Sequence, residues 1–364
     1  MAALQPRAEF SSASYKARTK QSQDWCCRMP PRSYYNSPRI DDYLAFARAS
    51  FPEESEAAGA FANRTGRPYL ENEIHLASYL GISPSIIRQI LHRPRFHYRT
   101  FILKKADGTN RIIRTPKTYL KVMQWWINDN ILITKEMAEA VHGFRKGRSY
   151  ITNAAAHAGA KHLLNLDISR FFPSVTAQMI VGVFRNLGYS AAGSDFLARL
   201  TSLDDEAPTG APTSPLIGNL ILDNFDQTVS ELSAARNITY TRYADDLTFS
   251  ARTRIDNEFL KEVTAFVESS GFELNPKKTR FLGKGDRMDV TGVVINEGLN
   301  LPVEWRNWAR GYLQRAIRNP VEFVQHHPAI AGIFGVLKSI DPDEQRHLTQ
   351  KAKSALTAIR SAGA

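Results

Sequence analysis

Apolar residues recur at helical spacing over Asp41 to Ser50 and again over Glu71 to His92, where Ile74, Leu76, Leu80, Ile86, Ile87, Ile90 and Leu91 follow the helical period. Gly81 and Ser83-Pro84 interrupt the second stretch, so it reads as two short helices. That pattern fits a DNA-reading helix-turn-helix as well as plain helix packing. From Tyr98 to Ile113 the period changes to alternation, with Asp107-Gly108 between two apolar runs and Pro116 beyond the second, which predicts a β-hairpin. Tyr119 to Met137 returns to helical spacing, with Leu120, Met123, Ile127 and Ile131 on one side. His162 to Leu166 is a short buried strand that ends at Asp167, and a helix follows Pro173. Thr239 to Tyr243 and Leu247 to Ala251 are strands separated by Ala244-Asp245-Asp246. A helix over Asp256 to Ser270 precedes strands near Thr279 to Leu282 and Val290 to Ile295. From Glu304 onward the chain is helical, and Trp305, Trp308, Tyr312 and Ile317 form an apolar stripe suited to core packing.

With 43% hydrophobic residues in 364, the chain can bury a substantial core, which excludes a tail-like or disordered protein. Residues 1 to 37 are the exception: rich in Ser, Arg, Lys, Gln and Pro and without apolar period, they read as a flexible basic arm. The formal charge of +11 favours a polyanionic partner, nucleic acid or an anionic membrane. It is unevenly spread, with +5 on residues 1 to 40, +5 on residues 305 to 364 and +1 between. Basic ends around a near-neutral body suit a chemical core flanked by segments that hold a phosphate backbone, although two solvated faces would give the same balance. Cysteine occurs only as Cys26-Cys27, which builds no disulfide framework and fits a reducing compartment. No run approaches the roughly 20 apolar residues of a membrane span, and no signal-peptide apolar region opens the chain. The expectation is a soluble, cytoplasmic protein without membrane contact.

The sharpest chemical feature is Arg242-Tyr243-Ala244-Asp245-Asp246-Leu247, two carboxylates at the tip of an otherwise apolar hairpin. Adjacent like charges repel unless a cation sits between them, and an oxygen-only ligand set favours magnesium. An Asp-Asp pair alone is weak, because turns favour Asp for backbone reasons; Asp204-Asp205 is such a pair in the same chain. Asp167 sharpens the case, since it ends a separate short strand 78 positions upstream. Side by side, the two strands would share a cage for two metal ions that activate a hydroxyl and stabilise a leaving oxygen in phosphoryl transfer.

These segments resemble a known family. Asp167-Ile168-Ser169-Arg170-Phe171-Phe172 resembles the first palm motif of reverse transcriptases, and Tyr243-Ala244-Asp245-Asp246 their Tyr-x-Asp-Asp motif. Between them, Pro208-Thr209-Gly210-Ala211-Pro212-Thr213-Ser214-Pro215, followed by Asn219-Leu220, is similar to the loop and helix beneath template and nucleotide. Asn153-Ala154-Ala155-Ala156-His157 and Val290-Thr291-Gly292 resemble the Asn-Ala-x-x-His and Val-Thr-Gly segments of the bacterial retron enzymes. By themselves, Asn153 would be a helix or turn cap, His157 a surface histidine and Gly292 a strand kink. The resemblance covers Glu71 to the C-terminus and leaves the N-terminal arm outside.

The resemblance implies an α+β right-hand polymerase with an antiparallel palm sheet. Its parts would be an N-terminal arm over 1–37, a helical segment over 38–70, fingers over 71–160, palm over 161–298 and a helical thumb over 299–364. It assigns Asp167, Asp245 and Asp246 to two Mg2+ ions and to catalysis, and Arg111, Phe172, Thr209, Gly210 and Lys278 to the incoming nucleotide. Among these, Phe172 would be a gate against the ribose 2′-hydroxyl, Arg111 (with Arg114 as rival) would grip the triphosphate and Lys278 would approach the pyrophosphate. Many relatives carry Gln where Thr209 stands, so that amide's template-side contact does not carry over. Asn153, His157, Val290, Thr291 and Gly292 would recognise RNA, with Gly292 permitting close backbone approach. The implied partners are deoxynucleotides, a cognate retron non-coding RNA and its multicopy DNA product, a separate effector protein in antiphage defence, and a host RNase H, because no such domain follows the thumb. A group II intron or diversity-generating reverse transcriptase would share the palm motifs but not the two retron segments. A non-catalytic RNA-binding scaffold would not need the three aspartates.

Overall fold

The computed structural model describes residues 40–104, 108 and 110–363. The N-terminal arm, Cys26-Cys27 and Asp107 lie outside them. Two compact units divide the chain, one ending at Trp305 and the other beginning at Arg306. Among the described residues no helix is long and apolar enough to cross a membrane.

The first unit opens with four helices, α1 (Ile40–Ser50), α2 (Ser55–Thr65), α3 (Glu73–Leu80) and α4 (Pro84–His92). The Asn72 side chain caps α3 by accepting from the Ile74 and His75 amides, and Ser83 caps α4 ahead of Pro84 at its first turn. Gly81 ends α3 in the left-handed region, so the break read from the sequence is where the chain turns. Leu76, Ala77, Ile87 and Ile90 are buried in the main core, which is the helix-packing alternative. Strands β1 (Tyr98–Lys104) and β2 (Asn110–Pro116) pair antiparallel from Tyr98 opposite Pro116 to Lys104 opposite Asn110. This hairpin leaves Phe101, Ile102 and Ile112 exposed.

Helix α5 (Thr118–Asn130) stops seven residues before the predicted end at Met137. The buried Asn130 amide folds back onto the Trp126 carbonyl, and Leu132–Thr134 tightens into a 3-10 turn. Then come α6 (Tyr150–Ala155), β3 (His162–Asp167), α7 (Phe171–Ser174), α8 (Ala177–Asn186), α9 (Ala191–Thr201), α10 (Ser214–Ile221) and α11 (Asp223–Ala235). Strands β4 (Thr239–Tyr243) and β5 (Asp246–Ala251), helix α12 (Asn257–Ser269) and strand β6 (Arg280–Leu282) follow. Four strands form one antiparallel sheet in the order β4-β5-β3-β6. Its inner face carries Leu164, Leu166, Leu247 and Phe249, all buried, and Phe249 stacks on Tyr240 at 4.9 Å and meets Phe259 of α12 edge-on. Each such side chain contributes roughly 1.5–3 kcal/mol on burial, which fixes the register, because a one-residue slip would turn the apolar set out of the core.

The predicted strand over Val290 to Ile295 is instead a hairpin of β7 (Asp289–Val290) and β8 (Val293–Val294). Thr291 and Gly292 both take positive φ, 49° and 84°, the signature of a two-residue turn that reverses the chain. Helix α13 (Val303–Arg318) spans the unit boundary, and the second unit adds α14 (His327–Ile340) and α15 (His347–Ala362). The buried face of α13 is Ala309, Leu313 and Ala316 rather than the aromatic stripe; Trp308 is 40% exposed and stacks on Tyr312 at 5.4 Å. Between α14 and α15, Asp341 accepts from the Thr349 hydroxyl and from the Gln345 and Arg346 amides, which holds its carboxyl below the usual range.

Candidate active site

The register of the sheet brings the three aspartates to one edge. Asp167 ends β3 directly opposite Asp246 at the start of β5, and the Ile168 amide donates to the Asp245 carbonyl at 2.9 Å. Tyr243 pairs with Asp246, so only Ala244 and Asp245 make the turn between β4 and β5. Ala244 accepts φ 59°, a left-handed conformation that an L side chain resists. From the other strand edge, Asn275 donates its amide to the Asp167 carbonyl at 2.8 Å, and Lys278 places its ammonium on the Asp167 carboxylate.

The electrostatics follow. Burial first, then the Asp245 and Asp167 charges, push the Asp246 carboxyl up to about 7, although its side chain still reaches solvent. Burial also raises Asp245, with Asp167 adding to it and Lys278 and Arg111 opposing. Burial pulls the Lys278 ammonium down, but Asp167 and then Asp245 and Asp246 outweigh it and hold it above its ordinary value. Three carboxylates thus share this end of the sheet with one directly paired ammonium, that of Lys278. Among the described residues no three His, Cys, Asp or Glu side chains are already drawn together as a metal cage.

The loop at Thr209-Gly210 is held against the β1-β2 hairpin by backbone contact. Gly210 donates its amide to the Arg114 carbonyl at 3.0 Å, and a Cβ there would come within 2.7 Å of that oxygen, so the loop lies on β2 only as glycine. The Thr209 hydroxyl donates to the Ile112 carbonyl at 3.0 Å and the Thr115 hydroxyl to the Gly210 carbonyl at 2.8 Å. Thr209 thus ties the loop to the hairpin. Arg114 is engaged by Glu206 and Asp204, whereas Arg111 is exposed on β2. Asp204 also pairs with Arg95, and Asp205 caps α8 by accepting from the Ala177 amide. That Asp-Asp pair is structural. Phe172 is half-buried, with its ring 5.2 Å from the buried Phe171.

The two further segments meet. Asn153 of α6 donates to the Thr291 hydroxyl at 3.4 Å, and that hydroxyl donates to the Tyr150 carbonyl at 3.0 Å. Asn153, His157 and Val290 are buried, so the direct RNA contact expected of those side chains is not what their placement offers; Gly292 is exposed and Thr291 half-buried. Gly292 takes a φ of 84°, which favours glycine, and a Cβ there would meet no other atom of the protein within 4 Å. His157 is no surface residue. Its two ring nitrogens bond the Ser250 and Thr241 hydroxyls, each at 2.7 Å, and burial holds the imidazole down to about 3.

Residues 102–295 match the family described as reverse transcriptase (RNA-dependent DNA polymerase). The chain belongs to the reverse transcriptase family. The retron Mx65 reverse transcriptase of Myxococcus xanthus is 34% identical over 330 residues, covering 84% of this chain and 76% of that protein. The retron Ec86 reverse transcriptase of Escherichia coli is 31% identical over 290 residues, covering 78% and 89%. A second Myxococcus xanthus relative, the retron Mx162 reverse transcriptase, is 37% identical over 289 residues, covering 70% of this chain and 59% of its own. The family expected from the palm motifs and the α+β fold are therefore both found. In this reverse transcriptase the residue that sequence reasoning missed is Asp226. It lies fully buried on α11, and its carboxylate takes Arg242 and the Tyr240 hydroxyl. The signal available was Arg242 itself, a charged residue inside an apolar strand that had to find an acid.

Proposed function

We propose that this chain is the RNA-directed DNA polymerase of a retron, a cytoplasmic enzyme that copies a dedicated non-coding RNA from an internal 2′-hydroxyl into branched multicopy DNA. The observation that carries it is the register that sets Asp167 opposite Asp246 beside the strained Ala244-Asp245 turn. Asp167, Asp245 and Asp246 fit magnesium: all donors are hard oxygens, and burial first, then their mutual repulsion, raises Asp245 and Asp246. Two bound magnesium ions would supply activation of the primer hydroxyl and stabilisation of the leaving oxygen. Arg111 is open to a deoxynucleotide triphosphate, Lys278 stands beside Asp167 for the pyrophosphate, and the half-buried Phe172 ring would exclude a ribose 2′-hydroxyl. Selectivity for the cognate RNA would lie with the Thr291-Gly292 turn, supported from beneath by Asn153. We assign the removal of copied RNA to a host RNase H and antiphage defence to a separate effector protein acting with the product.

The test is primer extension by purified protein with magnesium, on its cognate RNA and on a generic primed RNA. Asp245→Asn with Asp246→Asn should abolish synthesis and leave RNA binding largely intact, because the amides keep shape and lose charge. Full-length product from that variant would refute the assignment.

A further inference from the structure

Directly behind the acidic turn lies a fully buried ion pair that none of the chemistry above uses. Arg242 and Asp226 are both 0% exposed. The guanidinium donates Nε to Asp226 Oδ1 at 2.8 Å and Nη2 to Oδ2 at 2.5 Å, a two-pronged contact. Its remaining nitrogen, Nη1, points the other way. It donates to the Asn219 side-chain oxygen at 2.9 Å and to the Ala244 carbonyl at 3.1 Å. The Asn219 amide continues to the Gly143 carbonyl at 2.9 Å. Gly143 presses on the same turn, since a Cβ on it would stand 2.6 Å from the Ala244 nitrogen. The Arg242 backbone is itself fixed, its amide on the Ala140 carbonyl and its carbonyl under the His142 amide, both at 2.8 Å.

A buried ion pair is a poor device for stability, because desolvation of both charges offsets their attraction and an apolar pair of similar volume often serves as well. Its worth here lies in direction. Ala244 holds a left-handed φ that nothing in its own side chain favours, and its carbonyl orientation sets where the next residue, Asp245, is carried. Arg alone can hold Asp226 with two nitrogens and still aim a third at Ala244 and Asn219; a Lys ammonium lacks that planar fork. Asp226 neutralises the cation, so the clamp leaves the charge at the acidic edge unchanged.

We infer that Arg242, oriented by Asp226 and Asn219, is a positioning device that locks the Ala244-Asp245 turn in its metal-competent shape. The inference rests on the polymerase reading. The experiment compares wild type, Arg242→Met with Asp226→Leu, which removes both charges together, and Asn219→Leu, which leaves the ion pair and cuts the Asn219 bonds to Arg242 Nη1 and to the Gly143 carbonyl. Each is measured for thermal unfolding, for Mn2+ affinity by electron paramagnetic resonance without turnover, and for kcat and KM with dNTP. The double variant should unfold within a few degrees of wild type while Mn2+ binding and kcat each fall by about tenfold or more and KM stays within about twofold. Asn219→Leu should move the same two readouts in the same direction by less. If a folded double variant binds Mn2+ and turns over as wild type does, the pair is a packing feature and the inference fails. Should the double variant not fold, Asn219→Leu decides alone: unchanged Mn2+ affinity and kcat overturn the inference. An inactive wild type would instead sink the polymerase reading, so the two failures are distinct.

Discussion

Asn153 and Thr291, 138 positions apart in the chain, are joined through a hydrogen bond from the Asn153 amide to the Thr291 hydroxyl. The bond links α6 to the β7-β8 turn, the two segments whose sequences resemble the retron pattern. Asn153 is fully buried and its side-chain oxygen accepts no hydrogen bond, so its contribution is to place the turn. Asn153→Ala should therefore cost about 1 kcal/mol of stability and more in selectivity. Synthesis on the cognate RNA is expected to fall well below wild type while a generic primed template is copied nearly as before, because structured RNA is read through shape and backbone contacts that a displaced turn loses. Equal losses on the two templates would return Asn153 and Thr291 to a purely structural role.

His157 predicts a pH dependence of stability. Its imidazole is held down to about 3 by burial first and by His142 second, against an ordinary value of 6.5. A histidine depressed on folding binds its proton in the unfolded chain first, so its stabilising effect is complete above pH 6.5 and is lost as pH falls from there toward 3. Between pH 7 and pH 5 this single group should remove about 2 kcal/mol. His142, held down to about 4, acts in the same direction. Asp246, raised to about 7, acts in the opposite direction over the same range, so the measurement is the difference between wild type and His157→Gln by chemical denaturation at pH 7 and pH 5. An identical pH dependence of the two proteins would mean that the His157 imidazole is not held down in the folded chain.

The aspartate site was legible in the sequence because strand period, turn residues and motif order are all local. Asp167 ends one apolar run and Asp245-Asp246 split two others, so pairing of the strands was the only step left to the fold. What stayed hidden depends on contacts far apart in the chain. Asp226 sits on a helix whose acids look solvated until Arg242 arrives from β4. Asn153 reads as a helix or turn cap and His157 as a surface histidine, yet both are buried, His157 between the Ser250 and Thr241 hydroxyls. The break at Thr291-Gly292 was masked by a run of valines, and the aromatic stripe of α13 drew attention from its small buried face at Ala309 and Ala316. Helix α5 was read too long because Ile131 continued its apolar period past the point where Asn130 turns back onto Trp126.

Gly143 gives the most direct test of how tightly the acidic turn is held. It carries no charge, touches no substrate group in any role assigned above and lies outside the sequence motifs, so a loss of activity on changing it must pass through its neighbours. A methyl group there would stand 2.6 Å from the Ala244 nitrogen and 3.2 Å from the Tyr243 carbonyl carbon, both backbone atoms of the turn. Real contacts of that kind do not occur, so either residues 142–144 retreat or the turn does. Retreat is opposed by the Asn219 amide on the Gly143 carbonyl and by the His142 amide on the Arg242 carbonyl. The turn, already strained at Ala244, is the element expected to yield. Gly143→Ala should then lower stability by about 1–3 kcal/mol, the usual cost of overpacking. It should lower kcat by about a hundredfold, as a displacement near 1 Å at reacting groups does. Circular dichroism melting and single-nucleotide extension on a generic template separate the two effects. A variant that melts several degrees lower yet extends at the wild-type rate would show that the Asp245 carboxylate tolerates movement of its turn.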